Sequence, residues 1–155
     1  MSVLVDTSVW IRFLSNRVPY AAELDDLLSR DEVSGHDFVY GELLIGDKRG
    51  RKKLLAHYER MDQAPVVHHD EVVAFVRDRK LHGRGIGWID AHLLASALVG
   101  RLRLWTVDPP LAAGTGAWDR PRIGRANYLT HETPMRRMQE GSRANPIRQV
   151  QQIVQ

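Results

Sequence analysis

Apolar residues along the chain follow two rhythms. Short apolar-rich stretches, segment 2–6 with its run "VLV" and "RLRLWTVD" in residues 101–108, read as strands. Between them apolar residues recur at helical spacing. Leu24, Leu27 and Leu28 predict a helix over 21–30, and Val39, Leu43 and Leu44 another over 38–47. Leu54, Leu55 and Tyr58 share one face of a basic helix over 49–61. "APVVHH", 64–69, reads as a short strand. The helix after it carries Val72, Val73, Val76 and Lys80 in register and is stopped by Gly83 and Gly85. "GWIDAHLLASALVG", 87–100, predicts the most apolar helix, "RLRLWTVD", 101–108, the last clear strand, and "PLAAGTGAW" one further short helix. Strands alternating with helices specify an α/β fold, a parallel sheet with helices on both faces.

A chain of 155 residues accommodates one domain with its own core. No apolar run is long enough to span a membrane, and the N-terminus lacks the charged region and cleavage site of a signal peptide. There is no cysteine. Disulfides and thiolate metal sites are thereby excluded, and a cytoplasmic protein is expected. The net charge of +3 is unevenly spread. Residues 1–118 hold 15 Lys+Arg against 16 Asp+Glu, and residues 119–155 hold 7 Arg against 3 Asp+Glu. The expected division is therefore a domain over 1–118 and a basic, poorly ordered tail over 119–155, with a weak helix near its end.

Four acids lie within core-forming segments. Asp6 and Asp108 end the strands "LVD" and "TVD", and in a parallel sheet such ends share one edge, where ligands bind. Glu42 interrupts the apolar stripe of "YGELL". Asp90 stands near the start of the most apolar helix, where the helix dipole favours negative charge. Any one of them alone reads as a cap or an exposed group. Four together would repel one another and raise a pKa, a conflict that a bound cation removes. Oxygen donors without cysteine select Mg²⁺ or Mn²⁺, ions that serve phosphate chemistry.

In order and spacing, "VDTSVW", "YGELLIG", "GIGWIDAHLLASAL" and "LWTVD" resemble the motifs of the PIN-domain ribonucleases, and in particular the VapC-type toxins of bacterial toxin–antitoxin pairs. The resemblance covers about residues 2–118. It implies a three-layer α/β/α sandwich with a central parallel sheet and a metal-dependent endoribonuclease. It assigns Asp6, Glu42, Asp90 and Asp108 as catalytic metal ligands for Mg²⁺ or Mn²⁺. Thr7, Ser8 and Thr106 match supporting hydroxyl positions. An RNA substrate, a cognate antitoxin protein and a homodimer are the implied partners. One departure is "TVDPPL", where two prolines follow the last acid.

Rival readings are a metal-dependent phosphatase or phosphoacceptor domain of similar topology, and a non-catalytic RNA- or protein-binding module. An aspartyl-phosphate phosphatase would want a second acid two residues after Asp6, where Ser8 stands, and nothing in the four acids favours a purely binding role. His68 and His69, as strand neighbours, would point to opposite faces and make a poor metal pair. His92 cannot share the helical face of Asp90 and reads as structural or exposed. The basic cluster 47–53 is equally a solvated helix start or a phosphate contact. Trp105 reads as core. Trp10 is open between the core and a partner surface.

Overall fold

The computed structural model describes residues 2–114 and 127–128. The elements run β1 (Val3–Val5), α1 (Thr7–Leu14), α2 (Tyr20–Ser29), β2 (Val33–Ser34), α3 (Asp37–Ile45), α4 (Lys52–Tyr58), α5 (His69–Asp78), α6 (Trp88–Gly100), β3 (Arg103–Thr106), α7 (Pro109–Gly114) and β4 (Asn127–Tyr128). The sheet order is β2-β1-β3-β4. β1 lies parallel to both β2 and β3, and β4 adds an antiparallel edge. Helices flank the parallel strands, so the α/β fold inferred from the alternating pattern is the fold observed. All three residues of β1 are inaccessible to solvent, as befits the middle of a covered parallel sheet.

α2 and α4 bury the faces that their spacing assigned. Leu24, Leu27 and Leu28 of α2 and Leu54, Leu55 and Tyr58 of α4 all enter one main core with β1 and β3. α6 is buried over its whole middle, Ala91 through Ala97. A second, smaller core of Val67, Val72, Ala91 and Ala95 forms between α5 and α6.

Several expectations are corrected. Residues 64–69 form no strand; only Gln63 bridges Gly35, and α5 begins at His69. Pro65 has no N–H to give a ladder, which limits the pairing there. α5 ends at Asp78, so Lys80, at φ 52°, lies beyond the helix whose register it was expected to share. Leu44 leaves the apolar stripe of α3 and is half exposed. Trp10 is fully buried, edge-on to Phe13 and Tyr58, and is no surface anchor. Three elements escaped the sequence reading, α1, β2 and the edge strand β4. α1 shows its signal in Val9, Trp10 and Phe13, all buried, but its polar face is short. β2 has only two residues, too few for any periodicity. The expected tail lies outside the described residues, except that Asn127 and Tyr128 pair with Thr106 and Trp105.

Candidate functional site

The register of β1 on β3 builds the site. Leu4 opposes Leu104 and Val5 opposes Trp105, so the next residues, Asp6 and Thr106, meet at the carboxyl edge of the sheet. The Asp6 N–H donates to the Trp105 carbonyl at 2.9 Å and completes the ladder. Asp6 is 5% exposed. It precedes α1, yet its side chain does not cap that helix. Its Oδ2 instead accepts from Ser8 Oγ at 2.5 Å and from Thr106 Oγ1 at 2.9 Å. Each hydroxyl is itself held by a backbone donor. Val107 N–H donates to Ser8 Oγ at 3.3 Å, and Asp108 N–H donates to Thr106 Oγ1 at 3.0 Å. Two peptide N–H groups at the end of β3 are thus relayed through hydroxyls onto one buried carboxylate. That satisfies the charge where apolar surroundings would not.

Glu42 comes from the middle of α3 and accepts from Thr7 Oγ1 through Oε2. Asp90 occupies the first turn of α6 and accepts from the Gly87 N–H at 3.3 Å. Asp108 follows β3 and caps α7, its Oδ2 accepting from the Leu111 N–H at 3.2 Å. The two prolines after it stand in the first turn of α7, where a missing N–H costs no helical bond. The departure from the family pattern therefore leaves Asp108 in a regular capping geometry.

The four carboxylates share one electrostatic field. The Asp90 carboxyl is pushed up to about 6, first by desolvation and then by the charge of Asp6, with Asp108 and Glu42 adding to it; the Gly87 N–H opposes the shift. All seven residues marked out in the sequence, four acids and three hydroxyls, thus come together at one edge. Among the described residues, no three His, Asp or Glu side chains stand close enough to grip an ion as they are placed. Each acid is tied by one oxygen to its own neighbourhood. In chemistry the set fits a hard divalent cation: every donor is a carboxylate oxygen, and the mutual repulsion felt at Asp90 is what such an ion relieves.

A buried pair beside the site was not foreseen. His36 is fully buried at the start of α3. Its Nδ1 accepts from the Phe38 N–H at 3.1 Å, so Nε2 carries the proton and donates to Ser96 Oγ at 2.9 Å. Burial holds this imidazole below its usual pKa. The bond ties α3, which carries Glu42, to α6, which carries Asp90. No sequence signal distinguishes it from a surface histidine. His92 is buried, as its structural reading required, against Phe38 and Trp88. His68 and His69 are exposed at the start of α5. In the basic cluster, Arg51 N–H donates to Asp47 and its Nη1 donates to the Leu43 carbonyl, which gives that arginine a structural task at the end of α3.

Fold and site together define an α/β domain with a four-carboxylate cluster at the carboxyl edge of a parallel sheet. The PIN domain family model matches residues 3–113, and the chain belongs to that family. Within it, Ribonuclease VapC32 of Mycobacterium tuberculosis (strain CDC 1551 / Oshkosh) is 47% identical over 112 residues, covering 72% of this chain and 88% of the relative. The protein of the same name from strain ATCC 25618 / H37Rv matches to the same extent. The chain is a VapC-type member of the PIN-domain family. Nucleases of this family generally use divalent metal ions. No helix among the described residues is long and apolar enough to cross a membrane.

Proposed function

We propose that the protein is a Mg²⁺- or Mn²⁺-dependent endoribonuclease that acts as the toxin of a toxin–antitoxin pair, with Asp6, Glu42, Asp90 and Asp108 as its metal-binding acids. The observation that carries this reading is the hydrogen-bonded set at the carboxyl edge of the sheet, with Ser8 and Thr106 on Asp6, the Asp108 N–H on Thr106 and Thr7 on Glu42, and Asp90 close enough to feel the charge of Asp6, Asp108 and Glu42. Four acids from separate elements are costly to gather without a cation to neutralise them. The likeness to Ribonuclease VapC32 supports RNA as the substrate.

A divalent ion, when bound, supplies charge neutralisation at the phosphate and makes water a better nucleophile. The chain's own residues do the positioning. Ser8 and Thr106 hold Asp6 through one oxygen and leave the other for the ion. Thr7 does the same for Glu42. The α7 N-terminus holds Asp108, and Gly87 holds Asp90. Water attacking the phosphorus in line leaves 5′-phosphate and 3′-hydroxyl ends. A small antitoxin protein and a second copy of the chain are the proposed partners, and the cytoplasm the proposed site of action.

The test is cleavage of RNA by the purified chain in chelator, then with Mg²⁺ or Mn²⁺ restored. Cutting that appears only with the ion, and growth arrest on expression that a neighbouring gene relieves, are expected. Undiminished cutting in chelator would overturn the metal assignment, and no cutting under either condition would overturn the ribonuclease reading.

A further inference from the structure

We propose that Trp88 is a base-stacking platform that seats an unpaired nucleotide of the RNA beside the acidic cluster, with Arg84 of the same loop meeting its phosphate backbone. The inference rests on the ribonuclease reading above and adds a residue that grips the substrate and the strand form it selects.

Trp10 and Trp105 are fully buried, whereas Trp88 is 44% exposed. An indole left at the surface forgoes a large burial gain. Its ring is nevertheless flanked by two histidine rings. His92 stands edge-on to it at 5.0 Å and 88°, and His92 is itself backed by Phe38 at 4.7 Å. His69, from the start of α5, lies at 5.2 Å on a tilted plane. A ring flanked in this way loses little conformational freedom when a base stacks on it.

Position supports the same reading. Trp88 opens α6 within one turn of Asp90, on the helix face that it shares with His92 four residues on, so its ring flanks the acid from the neighbouring side of the helix end. The exposed loop that leads into it carries Arg84. Gly83 and Gly85 take φ of +73° and +76°, a backbone that favours glycine. Gly85 lies against Pro110, with a Cβ built there 3.6 Å from the proline ring. Pro110 follows Asp108 by two residues, so Gly85 lies against the start of α7, the helix that Asp108 caps.

Electrostatics supplies the need. The site has four carboxylates, and one divalent cation offsets only part of their charge. RNA phosphates are repelled by what is left. Base–aromatic stacking is indifferent to charge, and only an unpaired base exposes its face to an aromatic side chain. A stacking residue on the rim therefore provides grip where the acids provide none, and it favours single-stranded over helical RNA.

The experiment uses the full chain and a single-stranded oligoribonucleotide that the wild type cuts. Affinity is read by fluorescence anisotropy in chelator, and KM and kcat are read with Mg²⁺. Trp88→Ala should weaken binding and raise KM about tenfold to a hundredfold with kcat nearly unchanged, while Trp88→Tyr retains most of the affinity. Abasic sites placed singly around the cleavage point should identify one position whose loss and Trp88→Ala are not additive. Wild-type affinity in Trp88→Ala, or equal losses with every abasic RNA, would overturn the proposal. So would a Trp88→Ala protein that loses dimer or antitoxin assembly and keeps its RNA affinity. Failure of the wild type to cut any RNA would strike the ribonuclease reading instead, while the anisotropy arm still decides the stacking.

Discussion

The end of β1 and the start of α6 each present one aspartate to the same cluster, and they handle its charge in opposite ways. Asp6 is the more deeply buried, yet two hydroxyls donate to it and two peptide N–H groups stand behind those hydroxyls. Asp90 keeps part of its surface in water, but among the described residues has a single long bond, from Gly87, and its carboxyl is pushed up to about 6. A donor aimed at a carboxylate favours the charged form and a neighbouring carboxylate disfavours it. The end of β1 surrounds its aspartate with relayed donors, and the start of α6 leaves its aspartate to the charge of the other acids.

The contrast breaks most sharply at Asp6. Asp6→Asn keeps the size but loses the charge that the relay serves, and RNA cleavage should fall at least about a hundredfold with the fold intact. An Asp6→Asn enzyme as fast as the wild type would remove Asp6 from the ligand set. Thr106→Val attacks the relay itself. It strips a donor from Asp6 and an acceptor from the Asp108 N–H, so cleavage should drop about tenfold to a hundredfold. Chemical denaturation of the same variant should register about 1–3 kcal/mol of lost stability. No change in either measurement would mean that the relay is idle. Asp108→Asn is milder, because an amide oxygen still ligates and asparagine caps a helix as well as aspartate; a loss of about tenfold or less is expected.

The smallest effect concerns Asp90 and stability. Its folded pKa, about 6, lies above the ordinary aspartate value, so the folded state binds the proton more tightly than the unfolded chain. By linkage, stability in metal-free buffer should fall as pH rises from about 4 to about 6 and stay lower above that. Asp90→Asn abolishes this dependence. Discounted for solvent screening at a half-exposed group, the gain at pH 7 is about 1 kcal/mol, or a few degrees in melting temperature. A variant that melts below the wild type in chelator, or a wild type whose stability is flat across that window, would show that Asp90 does not share the field of the other acids.

The sequence exposed α2 and α4 by their one-sided spacing and α6 by its continuous apolar character, and it placed the acids on their elements by adjacency alone. It misjudged segments whose structure depends on a distant partner. Residues 64–69 have strand-like composition, but Pro65 and the early start of α5 leave them unpaired apart from the Gln63 bridge. β2, two residues long, exists because β1 offers it an edge. Trp10 and Trp88 look alike in sequence, each an apolar ring beside an acidic motif. Only the packing of α1 against the core, and the opening of α6 onto solvent, separates a core residue from a surface one.

What the sequence determined by itself is local: which segments are apolar, at what period, and that Asp6 and Asp108 each lie just past the end of a strand. Periodicity and adjacency act over a few residues and need no knowledge of the rest of the chain. What the tertiary structure decided is every relation across a long stretch of chain. Thr106 donates to a carboxylate 100 residues before it, His36 bonds Ser96 across 60, and Thr7 reaches Glu42 across 35. These contacts follow from the parallel register of β1 on β3 and from the helices packed over it. Register is set by the whole buried surface at once, so no short stretch of sequence contains it.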